Sequence, residues 1–329
     1  MSRSHPTTLL AALLASIAAL LGGCGGAARA GRPLDLPPPA SLPASASSHV
    51  VVLVMENAEY GDVIGSSQMP YVNSLARRYG LASASYAITH PSLPNYLALT
   101  SGSTQGIESD CTDCAVLTGT DLVNELESAS ISWRAYMEDL PHPCFKGASA
   151  GGYAKKHDPF LYYRDVAENP KRCRHVVGFG ALASDLRAGR LPRFAWISPN
   201  LCDDGHDCAP RTADRFLART VPALLRELGP HGFLILTWDE GSSEEGCCGV
   251  AHGGHIATIL AGPGARRGAR ISAPVDHYGV LGTIEDMLSL PRIGGAREAG
   301  AGSLAGLLVS TRPLVPRRPP NLTGIVRLD

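Results

Sequence analysis

Apolar stretches of strand length alternate along the chain with stretches whose apolar side chains recur every three or four residues. Residues 49–55 form a nearly continuous apolar run, which is typical of a strand buried on both faces. Residues 69–79 place their apolar side chains on one helical face. The same patterns predict, further along, a helix at 121–128 capped by Thr120, strands at 131–136, 194–198, 232–238 and 256–261, and helices at 180–187, 213–228 and 278–290.

This alternation of strands and helices predicts an α/β fold, in which a mostly parallel central sheet carries helices on both faces. In such sheets, ligands bind beyond the carboxyl ends of the strands. The polar residues that follow each predicted strand are therefore the first candidates for a functional site.

Carboxylates follow two of the predicted strands. Glu56 and Asn57 come directly after the first strand, and Asp239 and Glu240 come directly after the strand at 232–238. Adjacent carboxylates repel each other, so a hard divalent cation held between them and Glu56 would stabilise the arrangement. For Glu56-Asn57 taken alone, a turn or a helix cap is the competing interpretation.

A candidate nucleophile lies at residues 89–96, which read Thr-His-Pro-Ser-Leu-Pro-Asn-Tyr. Pro94 fits the first turn of a helix, so we expect Ser92 to lie just ahead of a helix N-terminus. Free backbone N–H groups and the positive end of the helix dipole would face whatever binds Ser92. The alternative is that Ser92 only caps the helix. His90 supplies an imidazole beside this serine.

Two further imidazoles lie next to predicted strands. His206 belongs to an acidic loop after the strand at 194–198, and a disulfide between Cys202 and Cys208 would fix this loop. His255 follows two glycines and precedes the strand at 256–261. An acidic surface loop is the alternative interpretation for the segment that holds His206.

Together these residues provide a set of candidate metal ligands, a hydroxyl nucleophile and three imidazoles. A metal lowers the pKa of a coordinated serine hydroxyl, so this site needs no Ser-His-Asp relay. Imidazoles around the electrophile stabilise oxyanion charge or protonate a leaving group. Phosphoryl transfer is the reaction that needs all of these groups, and we predict it here.

Composition and charge narrow the class of protein further. The chain has 329 residues, 44% hydrophobic and 18% charged, which is a globular balance. Its formal net charge of −1 leaves no basic excess for a phosphate backbone, so we expect no nucleic-acid partner. We expect a monomer.

The N-terminus has the features of an export signal. Arg3 and His5 precede an apolar run at 9–21 that is too short to span a bilayer. The following Leu21-Gly22-Gly23-Cys24 resembles the lipobox of bacterial lipoproteins, in which the cysteine becomes a lipid anchor. Cleavage near Ala28 or Ala30, with free secretion, is the alternative. We predict a signal peptide at 1–23, a flexible Pro/Ala/Ser-rich tether at 24–48, a catalytic domain at 49–311 and a Pro/Arg-rich tail at 312–329.

Eight cysteines follow Cys24, and an even number in an exported chain indicates disulfides. Sequence alone does not establish the connectivity. A structural zinc site at the single Cys-x-x-Cys is the competing interpretation. Proximity favours the pairs Cys111–Cys114, Cys144–Cys173 and Cys202–Cys208, with Cys247–Cys248 as a vicinal pair.

Two short motifs point elsewhere but lack the required context. The Gly-x-Ser-x-Gly at 147–151 has no apolar strand before it, so we do not assign it as a serine-hydrolase elbow. The glycine-rich stretch at 178–183 follows only two valines, so we predict no dinucleotide cofactor.

The motifs resemble the bacterial phosphoesterase family of acid phosphatases and phospholipases C, within the alkaline phosphatase superfamily. The resemblance rests on motifs that span most of the mature chain: Glu-Asn at 56–57, His-Pro-Ser-x-Pro-Asn-Tyr at 90–96, Pro-Asn-x-Cys-x-Asp-x-His-Asp-Cys at 199–208, Trp-Asp-Glu-Gly at 238–241, Gly-Gly-His at 253–255 and His-Tyr at 277–278. It implies an α/β/α sandwich and a phosphorylated serine intermediate on Ser92. It also implies a single divalent metal held by Glu56, Asn57, Ser92, Asp239 and Glu240, a phosphate surrounded by His90, His206 and His255, and a phosphate contact from Asn95.

This chain departs from the family pattern at two positions. Glu59 replaces a frequent serine and adds a negative charge, which would weaken the binding of an anionic substrate unless it points away. Asp203 stands where relatives often carry asparagine. The oxygen-rich ligands favour calcium, magnesium or manganese over zinc.

The resemblance leaves three functions open. An acid phosphatase that cleaves small or lipid-linked phosphomonoesters is the first, because no additional domain is evident in the chain. A phosphodiesterase of the phospholipase C type is the second. A non-catalytic surface lipoprotein that binds phosphorylated ligands is the third.

Overall fold

The structure is a computed structural model that describes residues 36, 38–42, 45–114 and 119–315. Its strands are β1 Val50–Met55, β2 Gly80–Tyr86, β3 Trp133–Met137, β4 Ser149–Ala150, β5 Tyr153–Ala154, β6 Val176–Gly178, β7 Phe194–Ser198, β8 Phe233–Trp238, β9 His255–Ala261, β10 Arg270–Ile271 and β11 Val275–Asp276. Its α-helices are α1 Tyr60–Val63, α2 Pro70–Arg78, α3 Ser92–Ser101, α4 Leu122–Ser128, α5 Arg164–Ala167, α6 Pro170–Cys173, α7 Phe179–Arg187, α8 Pro210–Glu227 and α9 His277–Leu288.

One large sheet organises these elements, in the order β10-β2-β9-β8-β1-β7-β3-β6, with β11 paired to β2. Strand β1 lies near the centre and is parallel to both β7 and β8, which explains its uninterrupted apolar sequence. Strand β9 is antiparallel to β8 and β2. The predicted mostly parallel sheet is confirmed.

Helices cover the sheet in two groups. Helix α8 packs against α2 and α7, whereas α3 packs against α9. Sheet and helices bury an apolar core in which every side chain of β1 and β8 is inaccessible or nearly so. The α/β/α sandwich predicted from the family resemblance is confirmed.

Local chemistry explains where the elements differ from the sequence predictions. Strand β2 was absent from them, because its small and polar residues show no apolar run, and pairing with β9 buries it instead. The cap of α4 is Asp121 and not Thr120, because the Asp121 carboxylate accepts hydrogen bonds from the backbone N–H groups of Val123 and Asn124. Helix α8 begins at Pro210, since proline is well tolerated in the first turn.

The structure pairs the cysteines as proximity favours. It contains the disulfides Cys111–Cys114, Cys144–Cys173, Cys202–Cys208 and Cys247–Cys248. Because both cysteines of the Cys-x-x-Cys are consumed in one of these bonds, the alternative of a structural zinc site there is wrong.

The ends of the described chain lie against the domain. The predicted signal peptide and Cys24 fall outside the described residues. Leu42, within the segment predicted as a tether, is buried in the core, so this part packs on the domain. At the other end the Leu314 N–H donates to the Met287 carbonyl. Within the described ranges, no helix combines the length and the apolar character that crossing a bilayer requires.

The Cys144–Cys173 disulfide closes a loop with a sequence separation of 29. We expect Cys144→Ala/Cys173→Ala to lower the free energy of unfolding by about 3 kcal/mol, because closing a longer loop removes more entropy from the unfolded chain. Urea denaturation measures the change. Cys111→Ala/Cys114→Ala, with a separation of 3, is the matched control and should lose less. An equal loss in both would contradict this explanation.

Candidate active site

Ser92 is the first residue of α3 and is 1% exposed. Its hydroxyl lies 3.1 Å from Glu56 Oε2 and 3.2 Å from Glu240 Oε1, positioned to donate to either carboxylate. Pro94 occupies the first helical turn, as predicted. The N-cap position belongs to Pro91, so the alternative that Ser92 only caps the helix is wrong.

Strand register brings the carboxylates to this serine. Met55 and Trp238 are paired at the ends of the parallel strands β1 and β8, so the residues that follow each of them meet. The Asp239 N–H donates to the Met55 carbonyl at 2.9 Å. The Asn57 N–H donates to Asp239 Oδ1 at 3.1 Å. The sequence-predicted carboxylates and the serine therefore form one cluster.

Asn57 takes part in this cluster through its backbone. Its φ of 54° lies in the left-handed region, which asparagine tolerates better than most residues, and it turns the chain away from β1. Its side chain is exposed. Glu56-Asn57 therefore forms a turn, as the alternative interpretation predicted. The same turn places both residues beside the site.

Burial makes the ionised carboxylates costly. Glu56 is 1% exposed and Asp239 is fully buried. Burial, followed by repulsion from Asp239, raises the pKa of Glu56 well above its ordinary value. Burial, followed by repulsion from Glu240, raises the pKa of Asp239 to about 7. Such a cluster is stabilised by a nearby positive charge.

His157 lies on the inner side of the cluster and was not among the predicted residues. It is 3% exposed, with Nε2 at 3.3 Å from Glu56 Oε2 and Nδ1 at 3.3 Å from Asp204 Oδ2. Its ring stacks on Tyr96, whose hydroxyl donates to Glu56 Oε1 at 2.5 Å. Burial, followed by repulsion from Lys156, lowers the pKa of His157 well below its ordinary value.

His206 lies beside His157, with the ring centroids 5.6 Å apart. Its Nδ1 faces Asp207 Oδ1 at 2.6 Å, and its backbone N–H donates to Asp204 Oδ1. The Cys202–Cys208 disulfide closes the loop that carries it. The structure therefore brings His206 to the site and gives its ring a defined orientation.

His90 contacts the cluster from the other side. Its Nδ1 is hydrogen-bonded to Glu240 Oε2, and its Nε2 lies 3.0 Å from the Ser243 carbonyl. Burial lowers the pKa of His90, but the hydrogen bonds to Ser243 and Glu240 outweigh it, so the net pKa is raised. His90 thus orients one carboxylate that holds Ser92.

His255 is placed differently from the prediction. It stacks between Tyr60 and Tyr86, and its Nε2 lies 2.9 Å from the Ser83 carbonyl. Within the described ranges, no hydrogen bond or ion pair joins it to the carboxylates around Ser92. Its location at the start of β9 leaves it near the loop that follows β8.

Asn95 is fully buried one turn into α3, and its amide groups serve the nucleophile loop. Its Oδ1 accepts from the N–H groups of Ile88 and Thr89, and its Nδ2 donates to the carbonyls of Thr89 and Pro91. Because both amide protons are used, the structure contradicts a phosphate contact from Asn95. The residue holds the segment that ends at Ser92.

Glu59 points away from Ser92. Its Oε1 accepts hydrogen bonds from the N–H groups of Ser242 and Ser243, at 2.9 and 2.8 Å. A Cβ at Gly241 would lie only 2.4 Å from this oxygen, so a larger residue at this position would displace the Glu59 carboxylate. Burial raises the pKa of Glu59, but these hydrogen bonds outweigh it and the net pKa is lowered. The extra charge therefore fastens the loop after β8.

The residues present fit a metal ion. Asp239 Oδ2 is buried without a hydrogen-bond partner among the described residues. Buried polar atoms are normally paired, so this oxygen is available to coordinate a metal ion. Glu56, His157 and His206 form a possible metal-binding site, with ligand atoms within 4.8 Å of one another. Glu56 belongs both to this group and to the set of oxygen ligands predicted from the sequence.

Sequence patterns gave only weak signals for the residues that were missed. Tyr96 follows Ser92 at the i, i+4 spacing of a helix face, which is a detectable signal. His157 lies in a short 3₁₀ helix at Lys155–His157, with no long apolar strand before it. Asp204 lies in the recognised histidine loop, but its carboxylate was not singled out from those of Asp203 and Asp207 in the same loop.

A profile of the Phosphoesterase family matches residues 66–291. The phosphatidylinositol-3-phosphatase of Mycobacterium tuberculosis is 33% identical over 257 residues, which cover 77% of this chain and 80% of that protein. The acid phosphatase of Aspergillus fumigatus is 28% identical over 252 residues, which cover 73% of this chain and 54% of that protein. The chain therefore spans about half the length of this fungal relative.

These matches show that the chain belongs to the phosphoesterase family, as the motifs predicted. It is a phosphoric ester hydrolase, and the names of the relatives agree with the predicted phosphomonoesterase class.

Solved structures share the fold at low sequence identity. An alkaline phosphatase superfamily protein from Vibrio parahaemolyticus superposes with a TM-score of 0.52 at 13% identity, covering 78% of this chain and 72% of that one. The lipoteichoic acid synthase LtaP from Listeria monocytogenes gives a TM-score of 0.53 at 10% identity, covering 81% and 79%. At these identities the likeness concerns the fold alone.

The contacts of Glu59 generate a prediction. We expect Glu59→Ala to lower kcat for p-nitrophenyl phosphate by about 10- to 100-fold, because the released loop no longer presents the Ser243 carbonyl to His90. Glu59→Gln retains an acceptor oxygen and should keep most of the activity. Asp62→Ala, an exposed acidic residue nearby, is the control. Unchanged kcat in Glu59→Ala would mean that the loop is held without this carboxylate.

Proposed function

We propose that this protein is an exported, metal-dependent acid phosphatase that cleaves phosphomonoesters through a phosphoserine intermediate on Ser92. The observation that carries the proposal is the position of the Ser92 hydroxyl, within hydrogen-bond distance of the carboxylates of Glu56 and Glu240. A buried hydroxyl surrounded by carboxylates at the start of a helix suits a nucleophile that attacks a phosphoryl group.

The reaction proceeds in two displacements at phosphorus. In the first, Ser92 Oγ forms a bond to phosphorus, the bond to the ester oxygen breaks, and the leaving alcohol takes up a proton. In the second, water attacks the phosphoserine, which releases inorganic phosphate and regenerates the hydroxyl. The positive end of the α3 dipole would favour the phosphoryl oxygens, whereas the Leu93 N–H already donates to Asp110 Oδ1.

Glu56, Ser92, Asp239 and Glu240 would hold the divalent ion, and the predicted ligand Asn57, whose side chain is exposed, would have to turn inward to join them. When bound, the ion lowers the pKa of the Ser92 hydroxyl and neutralises charge on the phosphoryl group. We prefer this set to one that includes His206, because Nδ1 of His206 faces Asp207 and Nε2 faces the Lys156 ammonium at 3.1 Å. Oxygen ligands favour calcium, magnesium or manganese.

The imidazoles take different roles in this proposal. His206 and His157 lie on the side of Glu56 where the phosphoryl group would bind. His90 orients Glu240, and its raised pKa favours the charged form that pairs with this carboxylate. The Nε2 of His255 faces the Ser83 carbonyl and its Nδ1 lies 3.9 Å from Glu245 Oε2, so we place this residue at the rim of the site. Asn95 holds the Ser92 loop and does not contact phosphate.

We propose that the substrate is a small or lipid-linked phosphomonoester. The names of the relatives, a phosphatidylinositol-3-phosphatase and acid phosphatases, support a monoester. A diesterase of the phospholipase C type and a non-catalytic lipoprotein are the other outcomes of the test below.

The nucleophile is tested by Ser92→Ala. We expect hydrolysis of p-nitrophenyl phosphate to fall by roughly three orders of magnitude or more, because no other hydroxyl lies between the two carboxylates among the described residues. Chelation should abolish activity in the unaltered protein, and added divalent ions should restore it. Acid-quenched enzyme should carry one phosphoryl group on Ser92 by peptide mass spectrometry.

The control for Ser92→Ala is Ser74→Ala, which removes an exposed hydroxyl on α2 and should leave activity intact. Activity that survives Ser92→Ala would eliminate the proposed nucleophile. Faster cleavage of p-nitrophenyl phosphorylcholine than of the monoester would move the assignment to the phospholipase C type. Absence of hydrolysis with calcium, magnesium and manganese would favour the binding lipoprotein.

We also propose that Cys24 carries a lipid anchor that holds the enzyme at the cell surface, with the catalytic domain as a monomer. Expressed in a bacterial host, the protein should incorporate labelled fatty acid and enter the detergent phase on phase separation. Cys24→Ala should abolish both, because the lipid is attached to this thiol. Equal partitioning of the two proteins into the aqueous phase would support free secretion.

A further inference from the structure

The carboxylates around Ser92 raise the question of what attracts an anionic substrate. Glu56, Asp239 and Glu240 are buried at the site, and each adds potential negative charge. One divalent ion and the charged His90 offset three ionised carboxylates, which leaves no net positive charge to attract a phosphomonoester with up to two negative charges. The site therefore needs a further fixed cation close to Ser92.

Lys156 is the lysine that reaches this region. The chain contains only four lysines, Lys146, Lys155, Lys156 and Lys171, whereas its other basic residues are arginines. Lys155 and Lys156 are adjacent but point to different places. Lys155 Nζ donates to the Thr112 carbonyl and lies over the Tyr162 ring. Lys156 Nζ instead turns toward His206.

The Lys156 ammonium is held by two contacts. It donates to Asp110 Oδ2 at 2.8 Å and to His206 Nε2 at 3.1 Å. Because an ammonium group only donates, His206 Nε2 is the acceptor, and the ring proton lies on Nδ1 toward Asp207. The Lys156 side chain is 19% exposed, so its charge is partly shielded from water.

Asp110 connects this lysine to the nucleophile helix. Its Oδ2 accepts from Lys156, and its Oδ1 accepts from the backbone N–H of Leu93, the residue after Ser92. The next residue, Cys111, forms a disulfide with Cys114. The backbone carbonyl of Cys111 accepts a hydrogen bond from the Tyr162 hydroxyl. Helix start, carboxylate and ammonium therefore form one assembly of defined geometry.

We propose that Lys156 binds a non-bridging oxygen of the phosphoryl group and gives the site its preference for doubly charged phosphomonoesters. An ammonium has three N–H donors, and the contacts with Asp110 and His206 account for two of them. The third is available to the substrate, and the charges of Glu56 and Asp239 act on this ammonium. This inference rests on the proposed phosphatase function, because it assigns a residue to the same site.

Lysine labelling tests binding without catalysis. The unaltered enzyme, with the divalent ion that supports activity, is treated with limiting acetic anhydride in the presence and absence of inorganic phosphate, and each lysine is followed by peptide mass spectrometry. We expect phosphate to protect Lys156 by about 10-fold or more while Lys146 and Lys171, which are exposed, react equally in both samples. Equal acetylation of Lys156 with and without phosphate would overturn the proposal.

Inhibition kinetics test the charge preference. In Lys156→Met we expect the inhibition constant of inorganic phosphate to rise about 10- to 100-fold, since one hydrogen bond between charged groups is lost. Dimethyl phosphate, whose two non-bridging oxygens share a single negative charge, should be weakened as an inhibitor by a clearly smaller factor than inorganic phosphate. Lys171→Met is the control and should match the unaltered enzyme. An unchanged phosphate constant, or equal weakening for both anions, would contradict the proposal.

Labelling of Ser92→Ala separates this inference from the proposed function. Phosphate protection of Lys156 in an inactive Ser92→Ala protein supports both ideas. Protection together with full activity in Ser92→Ala supports the Lys156 subsite but rejects the nucleophile. Loss of activity in Ser92→Ala without protection of Lys156 in either protein supports the nucleophile and rejects the subsite. If Lys156→Met fails to fold, the labelling of the unaltered enzyme still decides the question.

Discussion

Burial of several carboxylates around one serine hydroxyl is the constraint on which the site depends. Ionised carboxylates are costly inside a protein unless positive charge or hydrogen-bond donors surround them. The structure supplies both: Tyr96 and Asn57 donate to Glu56 and Asp239, and His90 pairs with Glu240. The remaining orphan oxygen of Asp239 explains why the arrangement is suited to a cation.

The fold provides the geometry that makes this cluster possible. Neighbouring parallel strands end at the same level, so the residues after β1 and β8 meet without long connections. The loops around them are then fastened individually. Asn95 holds the segment before Ser92, and Glu59 holds the segment after Glu240. Each support is a side chain that satisfies backbone groups, fully buried in Asn95 and partly buried in Glu59, which gives a defined position to the catalytic atoms.

Several residues have a role in the structure that differs from the one expected from the sequence. From the sequence, the charge of Glu59 was expected to repel an anionic substrate. In the structure its carboxylate instead accepts hydrogen bonds from the backbone N–H groups of the loop after β8. Asn95 looked like a phosphate donor, yet both of its amide protons are used by the chain itself. Lys156 follows no strand that the sequence predicts, and only its contacts with His206 and Asp110 show its relation to the site.

The sequence by itself determined the α/β architecture and the candidate serine and carboxylates, and it favoured the cysteine pairs without establishing them. These features depend on local periodicity and on the rule that parallel strands present their carboxyl ends together. Only the tertiary structure decided that His157 and Asp204 join the site and that His255 does not contact it. The physical reason is that their positions depend on irregular loops, whose course is determined by long-range hydrogen bonds and packing and not by any repeating pattern of residues.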